Sequence, residues 1–131
     1  MRGLDTNLLV RFLVRDDEIQ FRRVADLVAA HEASGEALHL DAIVLCELAW
    51  VLRAGYARDR GEIASALEAL LDASPFAVEE RDLVREAVER FRAGRGDFSD
   101  YLIGLRNRHA GCRDTATFDR KLRPADGFSA P

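Results

Sequence analysis

The chain has 131 residues, 48% of them hydrophobic and 32% charged, which is typical of one folded globular domain rather than a disordered segment. The net charge of −4 excludes a protein coated in positive charge for nucleic acid, although it allows local basic patches. No apolar run approaches the about 20 residues that span a membrane. The first residues lack a charged region followed by a long apolar stretch, so we expect no secretion signal. We therefore expect a cytoplasmic protein without a membrane partner.

Short apolar runs alternate with helical patterns along the chain, which predicts an α/β fold. The first strand ends at Asp5, and further strands are predicted at residues 37–40, 76–78 and 112–118, with an edge strand near Phe128. Helices are predicted at about residues 8–14, 17–33, 42–53, 59–74, 80–93 and 97–109. This alternation favours a short, mostly parallel sheet with helices on both faces. We expect one domain at residues 1–123 and a tail at 124–131.

Several helix ends are marked by polar residues or glycine. Asp16 or Asp17 is a candidate cap of the second helix, while Asp41 and Asp59 are predicted caps of the third and fourth. Gly55 is predicted to stop the third helix.

The cysteines and histidines show no metal-ligand or redox spacing. Cys46 and Cys112 are predicted to be two free thiols. His31, His39 and His109 are scattered, so the histidines give no site prediction.

Five carboxylates stand where ligands bind or where acids are unusual. Asp5 and Asp119 follow predicted strands, and α/β sheets bind ligands at the carboxyl ends of their strands. Asp97 and Asp100 are three residues apart and share a helix face. Glu47 lies within an apolar helix. Each signal is weak alone, but together they predict an acidic site.

The helix neighbours of Glu47 predict that its carboxylate points inward. These neighbours are Ile43, Val44 and Val51. A buried carboxylate is costly unless it is paired or bound to a metal. A buried pair with Arg11 or Arg53 is therefore the alternative to a site role for Glu47.

The other acids also have structural alternatives. Asp97 is equally well explained as a helix cap, and Asp119 as a turn residue. Asp114 and Asp126 are predicted to be ordinary surface or turn acids.

Clustered carboxylates repel one another, and a divalent cation relieves that repulsion. Oxygen ligands without His or Cys favour a hard ion, Mg²⁺ or Mn²⁺, which keeps bound waters and is often completed by phosphate. The residues therefore favour metal-assisted phosphodiester hydrolysis.

The ordered motifs of the chain resemble those of a PIN domain, most closely the VapC toxins of toxin–antitoxin pairs. The motifs are DTNLLVRFL at residues 5–13, ELAWVL at 47–52, GDFSDYLI at 96–103 and TFD at 117–119. One departure is Gly104-Leu105, where relatives usually carry two alanines, which concerns helix packing more than metal binding.

The resemblance implies a three-layer α/β/α fold and a Mg²⁺-dependent endoribonuclease. Its acidic site corresponds to Asp5, Glu47, Asp100 and Asp119, with Asp97 as an additional acid. Supporting polar residues correspond to Thr6, Asn7 and Thr117.

The mechanism we expect uses Asp5 and Asp100 as metal ligands, while Glu47 and Asp119 complete or orient the shell. Water attacks the phosphate in line and leaves a 5′-phosphate and a 3′-hydroxyl. Candidate RNA-phosphate contacts near these motifs are Arg11, Arg95 and Arg120.

Two other function classes are open to test. An aspartyl-phosphate protein, either a phosphatase or a receiver domain, also places an Asp after its first strand. Asn7 stands where such a phosphatase needs a second Asp. A receiver domain needs a lysine at a late strand, and Lys121 is found after Asp119. Phosphate trapped on Asp5 would favour this class. A non-catalytic PIN-fold RNA-binding module would bind metal without cutting RNA.

The resemblance also implies partners. We expect an RNA substrate, a VapB-like antitoxin that covers the site, and a homodimer.

Overall fold

The computed structural model describes residues 1–123 and 127–131. The chain divides into two compact units, Met1–Arg81 and Asp82–Pro131. The predicted division into a domain at 1–123 and a tail stays a prediction, and the surface role predicted for Asp126 falls outside the described residues.

The first unit alternates short strands with pairs of helices. Its elements are β1 (Arg2–Gly3), α1 (Thr6–Val14), α2 (Glu18–Ser34), β2 (Leu38–Leu40), α3 (Ala42–Tyr56), α4 (Arg60–Asp72) and β3 (Phe76–Val78). This order confirms the predicted α/β class.

The three strands of this unit form a parallel sheet in the order β1-β2-β3. The register aligns Gly3 with His39 and His39 with Ala77. Leu38 and Leu40 are fully buried, whereas His39 between them is only half-buried. Within this unit α1 contacts α2 and α3, and α3 contacts α4.

Aspartates begin the helices of the first unit. Asp17 caps α2 by accepting from the backbone N–H of Gln20, which resolves the choice between Asp16 and Asp17. The predicted caps Asp41 and Asp59 are confirmed at the starts of α3 and α4. A carboxylate at these positions satisfies amides that lack a helical partner.

The predicted end of the third helix at Gly55 is wrong, because α3 continues to Tyr56. The Tyr56 hydroxyl donates to Asp16 at 2.8 Å and accepts from Arg11 at 3.2 Å. These bonds hold the last turn of α3 in place, and one glycine costs a helix only about 1 kcal/mol relative to alanine. The helix then ends at Ala57, which has a left-handed conformation with φ of 52°.

The second unit contains two amphipathic helices and a small parallel sheet. Its elements are α5 (Arg81–Ala93, which begins at the unit boundary), α6 (Phe98–His109), β4 (Thr115–Ala116) and β5 (Phe128–Ser129). β4 pairs with β5 in parallel, which confirms the strand expected near Phe128. β4 is shorter than the predicted strand at 112–118, since it pairs with β5 at only two residues, Thr115 and Ala116.

Gly104 on α6 makes room for the ring of Phe128. A Cβ atom at position 104 would lie 2.6 Å from Phe128 Cζ, closer than atoms can approach. Phe128 is buried and meets Tyr101 edge-on, with ring centroids 6.4 Å apart. Packing in this unit therefore explains why the chain has glycine at this position.

The described helices combine apolar and charged faces. Within residues 1–123 and 127–131, none is long and apolar enough to cross a membrane. Cys46 and Cys112 are both free thiols, as predicted.

Candidate active site

Asp5 lies between the end of β1 and the start of α1. Its backbone is extended, and its Oδ1 accepts the backbone N–H of Thr6 at 2.8 Å, which makes Asp5 the N-cap of α1. The residue is exposed. The sequence therefore places a carboxylate at the strand end, where one oxygen is fixed by the helix and the residue is open to solvent.

Thr6 connects this carboxylate to Glu47 on α3. Its hydroxyl donates to Glu47 Oε1 at 2.8 Å, while its backbone N–H donates to Asp5. Thr6 is only 8% exposed, so this bridge lies at the edge of the core. The structure thus brings Asp5 and Glu47 to one buried threonine within the first unit.

The prediction that Glu47 points inward is wrong, because Glu47 is exposed. Ile43 and Trp50, which share its helix face, are also exposed, at 65% and 67%. The buried face of α3 consists of Ala42, Leu45, Leu48, Ala49 and Leu52. These residues follow helical spacing on the opposite side, so an exposed Glu47 needs no buried Arg partner.

Asp97 and Asp100 lie together at the start of α6. Asp97 is the N-cap residue, and its backbone N–H donates to Asp100 Oδ2 at 2.9 Å. Both residues are half-buried. The loop before them is fixed by Tyr101, whose hydroxyl accepts the backbone N–H groups of Arg95 and Gly96 at 3.1 and 3.0 Å.

Asp119 lies in a turn after β4, close to the strand-end position predicted for it. Thr117 Oγ1 accepts its backbone N–H at 3.0 Å, and Asp119 Oδ1 accepts the backbone N–H of Lys121 at 2.9 Å. The Lys121 ammonium lies 3.9 Å from Asp119 Oδ2. Thr117 is itself held to the β5 strand through a 2.9 Å bond from its N–H to Ser129. Thr117 therefore positions the backbone of Asp119.

Of the predicted phosphate contacts, Arg95 and Arg120 are exposed, whereas Arg11 is half-buried and already bonded. Arg11 Nη1 lies 2.9 Å from Asp16, and Arg11 Nε donates to Gln20 at 2.6 Å. The hydrogen bond from Tyr56 and the charge of Arg11 hold the pKa of Asp16 below its ordinary value. The bond to Tyr56 and the charge of Asp16 raise the pKa of Arg11. Asn7, a predicted supporting residue, is exposed on α1.

One cluster of potential ligands escaped the sequence predictions. Among the described residues, His39, Asp41 and Glu79 place one ligand atom each within 4.8 Å of one another. Asp41 accepts from Ile43 N–H at 2.6 Å and Glu79 from Ala42 N–H at 3.0 Å, so both carboxylates already serve the start of α3. The alternation of His39 and Asp41 about buried Leu40 is the sequence signal for this cluster.

Comparison with known proteins identifies the family of the chain. The sequence matches the PIN domain family over residues 4–127. This chain belongs to the PIN domain family. The PIN domain is a three-layer α/β/α fold, which confirms the predicted fold class.

The chain is also similar to a PIN relative from Aquifex aeolicus (strain VF5), described as "VapC ribonuclease". The two sequences are 28% identical over 123 residues, which cover 94% of this chain and 90% of the relative. No solved structure matches the chain significantly.

Proposed function

We propose that this PIN domain is a Mg²⁺-dependent endoribonuclease and the toxin of a VapBC-type pair. The family match and the relative named as a VapC ribonuclease support the class of activity. The acidic residues support the chemistry, and the role of each acid is part of the proposal.

The observation that carries the proposal is the hydrogen bonding of three carboxylates. Asp5, Glu47 and Asp100 each use one oxygen for a hydrogen bond within the protein, from Thr6 N–H, Thr6 O–H and Asp97 N–H respectively. Their second oxygens have no hydrogen bond with any residue that the structure describes. A carboxylate fixed through one oxygen is oriented and keeps the other for a ligand.

These donors suit a hard divalent cation. They are all carboxylate oxygens, which favours Mg²⁺, with Mn²⁺ as the second choice. We assign Asp5 and Asp100 as ligands, directly or through water, and Glu47 and Asp119 as residues that complete or orient the shell. Asp97 is the fifth acid of the proposed site.

When bound, the cation supplies an acidified water and offsets negative charge on the phosphate during attack. The residues of the chain do the positioning. Thr6 holds Glu47, while Thr117 and the Lys121 backbone hold Asp119. Hydrolysis by water leaves a 5′-phosphate and a 3′-hydroxyl.

The test is cleavage of structured RNA by the purified protein in Mg²⁺ and in EDTA. We expect cleavage in Mg²⁺, none in EDTA, and loss of activity in Asp5→Asn. An asparagine side chain can still cap α1, so this substitution removes the charge and keeps the helix start. Metal binding, measured by calorimetry, should weaken in the same variant.

Asp59→Asn is the matched control, because Asp59 is also an exposed N-cap aspartate of the first unit but lies outside the motifs. It should keep full activity. Full activity of Asp5→Asn, or cleavage that persists in EDTA, would show the proposed site to be wrong.

The proposal includes partners. A VapB-like antitoxin that inserts a segment over the acids would inhibit the enzyme, and co-expression with a candidate antitoxin should restore growth. Homodimer formation and a cytoplasmic location belong to the same proposal and are tested by light scattering and cell fractionation.

A further inference from the structure

A groove with a volume of about 500 Å³ lies between α1 and α2 in the first unit. Its polar lining consists of Arg2, Asn7, Arg11, Gln20 and Arg23. Three of these side chains are guanidinium cations, and no carboxylate among residues 1–123 and 127–131 lines the groove. In a protein with net charge −4, this concentration of positive charge favours an anionic ligand.

Two of the three cations are uncompensated. Arg2 and Arg23 are exposed, and neither side chain has a hydrogen bond or ion pair with any residue in the described part of the chain. Arg11 is held at Nε and Nη1 by Gln20, Asp16 and Tyr56, which fixes its guanidinium and leaves Nη2 outside those bonds. An incoming phosphate would meet one oriented and two free guanidinium groups.

The rest of the lining is apolar and consists of Leu8, Val24 and Leu27. An inorganic anion gains nothing from such a surface, whereas riboses and bases bury apolar area against it. Cations combined with apolar side chains suit a single strand of nucleic acid, whose phosphates and bases need both.

The groove begins beside the proposed active site. Asn7, which lines it, is two residues after Asp5, so their Cα atoms are at most about 7 Å apart. We infer that the groove between α1 and α2 binds the RNA strand next to the bond that is cut, with Arg2 and Arg23 as phosphate contacts. This inference rests on the proposed nuclease function and specifies the path of its substrate.

Arg23 and Arg22 provide a matched pair for the test. Both are exposed arginines on α2, but only Arg23 lines the groove. Binding of a fluorescently labelled single-stranded oligouridine is measured by anisotropy in EDTA, in the Asp5→Asn background so that the strand stays intact. Arg23→Gln should weaken binding about tenfold and Arg2→Gln similarly, because each removes a charged hydrogen bond. Arg22→Gln should change binding by less than about twofold, since it removes the same charge outside the groove.

The salt dependence gives a second readout. Loss of one phosphate contact should reduce the slope of log affinity against log salt by about 0.7 in Arg23→Gln, with no change in Arg22→Gln. Equal effects of the two substitutions, or no RNA binding by the parent chain, would overturn the inference. Binding of an oligoglutamate of equal charge is measured in the same way. If Arg23→Gln weakens the binding of oligoglutamate but not of oligouridine, the groove binds an acidic protein segment and the inference is wrong.

Failure of the groove and failure of the nuclease are distinguishable. If wild-type protein cleaves RNA in Mg²⁺ and the Arg23→Gln and Arg22→Gln variants bind RNA alike, the nuclease function stands and the inference about the groove is wrong. If Arg23→Gln selectively loses RNA binding and the wild type does not cleave RNA, the groove is an RNA-binding site and the proposed nuclease function is wrong.

Discussion

Thr6 Oγ1 donates a 2.8 Å hydrogen bond to Glu47 Oε1, across 41 residues of sequence. The threonine is buried and the glutamate is exposed. A buried donor on one helix thus orients an exposed carboxylate on another, while the backbone of the same threonine holds Asp5. The second residue of the DTN motif therefore contacts both acids proposed in the first unit.

Thr6→Val should lower RNA cleavage about tenfold, because valine keeps the shape of threonine and removes only the donor to Glu47. Unfolding free energy should fall by no more than about 1 kcal/mol, since an exposed carboxylate that loses this bond is solvated by water. Cleavage rates and urea unfolding measure the two effects. Thr6→Ser retains a hydroxyl and should keep most of the activity; equal losses in the valine and serine variants would indicate a packing defect instead.

Asp97 has two possible roles, ligand or helix cap, and one substitution separates them. Asp97→Ser keeps a good N-cap residue at the start of α6 and removes the carboxylate. We expect stability within about 0.5 kcal/mol of wild type and a loss of cleavage of about tenfold or more, because the proposed site needs the charge. Activity equal to wild type would leave Asp97 with a capping role alone. Asp97→Ala, which removes both functions, should lose stability as well.

The parts of the fold that follow local rules were predictable from sequence. Asp41 and Asp59 cap helices as predicted, since an aspartate before an apolar periodic segment satisfies the first free amides. The strand at Phe76–Val78 matches its predicted bounds. The parallel pairing follows from the alternation of strands and helices.

Features that depend on tertiary contacts were not predictable. Periodicity placed Glu47 on an inward face with Ile43, but the leucine and alanine side of α3 is buried instead, because several competing faces of an apolar helix look alike in sequence. The extension of α3 past Gly55 depends on Tyr56 contacting residues 40 or more positions away. The α1–α2 groove likewise needs Arg2 and Arg23, which no motif connects.

The Asp16 carboxylate should make stability depend on acid pH. Its pKa is lowered from the ordinary 3.8, chiefly by the hydrogen bond from Tyr56 and then by the charge of Arg11. A lowered pKa stabilises the folded state above the unfolded pKa, and that contribution is lost as the pH falls through the folded pKa. The difference in unfolding free energy between wild type and Asp16→Asn should therefore be constant from about pH 7 to about pH 5 and shrink below about pH 4.

Urea unfolding at a series of pH values measures this difference. Tyr56→Phe removes the hydrogen bond that is the principal cause of the lowered pKa of Asp16. In this background the pH-dependent part of the difference in unfolding free energy should be smaller, and what is left should come from the charge of Arg11. If the difference in unfolding free energy between wild type and Asp16→Asn stays constant down to about pH 2, the lowered pKa of Asp16 is contradicted.

The Tyr101 hydroxyl should contribute strongly to the stability of the second unit. It accepts two backbone N–H groups, from Arg95 and Gly96, in the loop that leads into α6. A Cβ atom at Gly94 would collide with this hydroxyl, so the loop is closely packed around it. Tyr101 is 3% exposed and Gly96 is buried, so water cannot easily replace the lost acceptor.

Tyr101→Phe should therefore lower the unfolding free energy by about 1–3 kcal/mol, the range for loss of a hydrogen-bond acceptor in a buried site. Tyr56→Phe is the control, because the Tyr56 hydroxyl bonds to the exposed Asp16 carboxylate and should cost less than about 1 kcal/mol. The midpoints of urea unfolding give both changes in unfolding free energy, provided that the dependence of unfolding free energy on urea concentration is the same in all variants. Equal costs for the two variants would mean that the Arg95–Gly96 loop rearranges to satisfy its own amides, and the start of α6 would then owe its position to packing rather than to Tyr101.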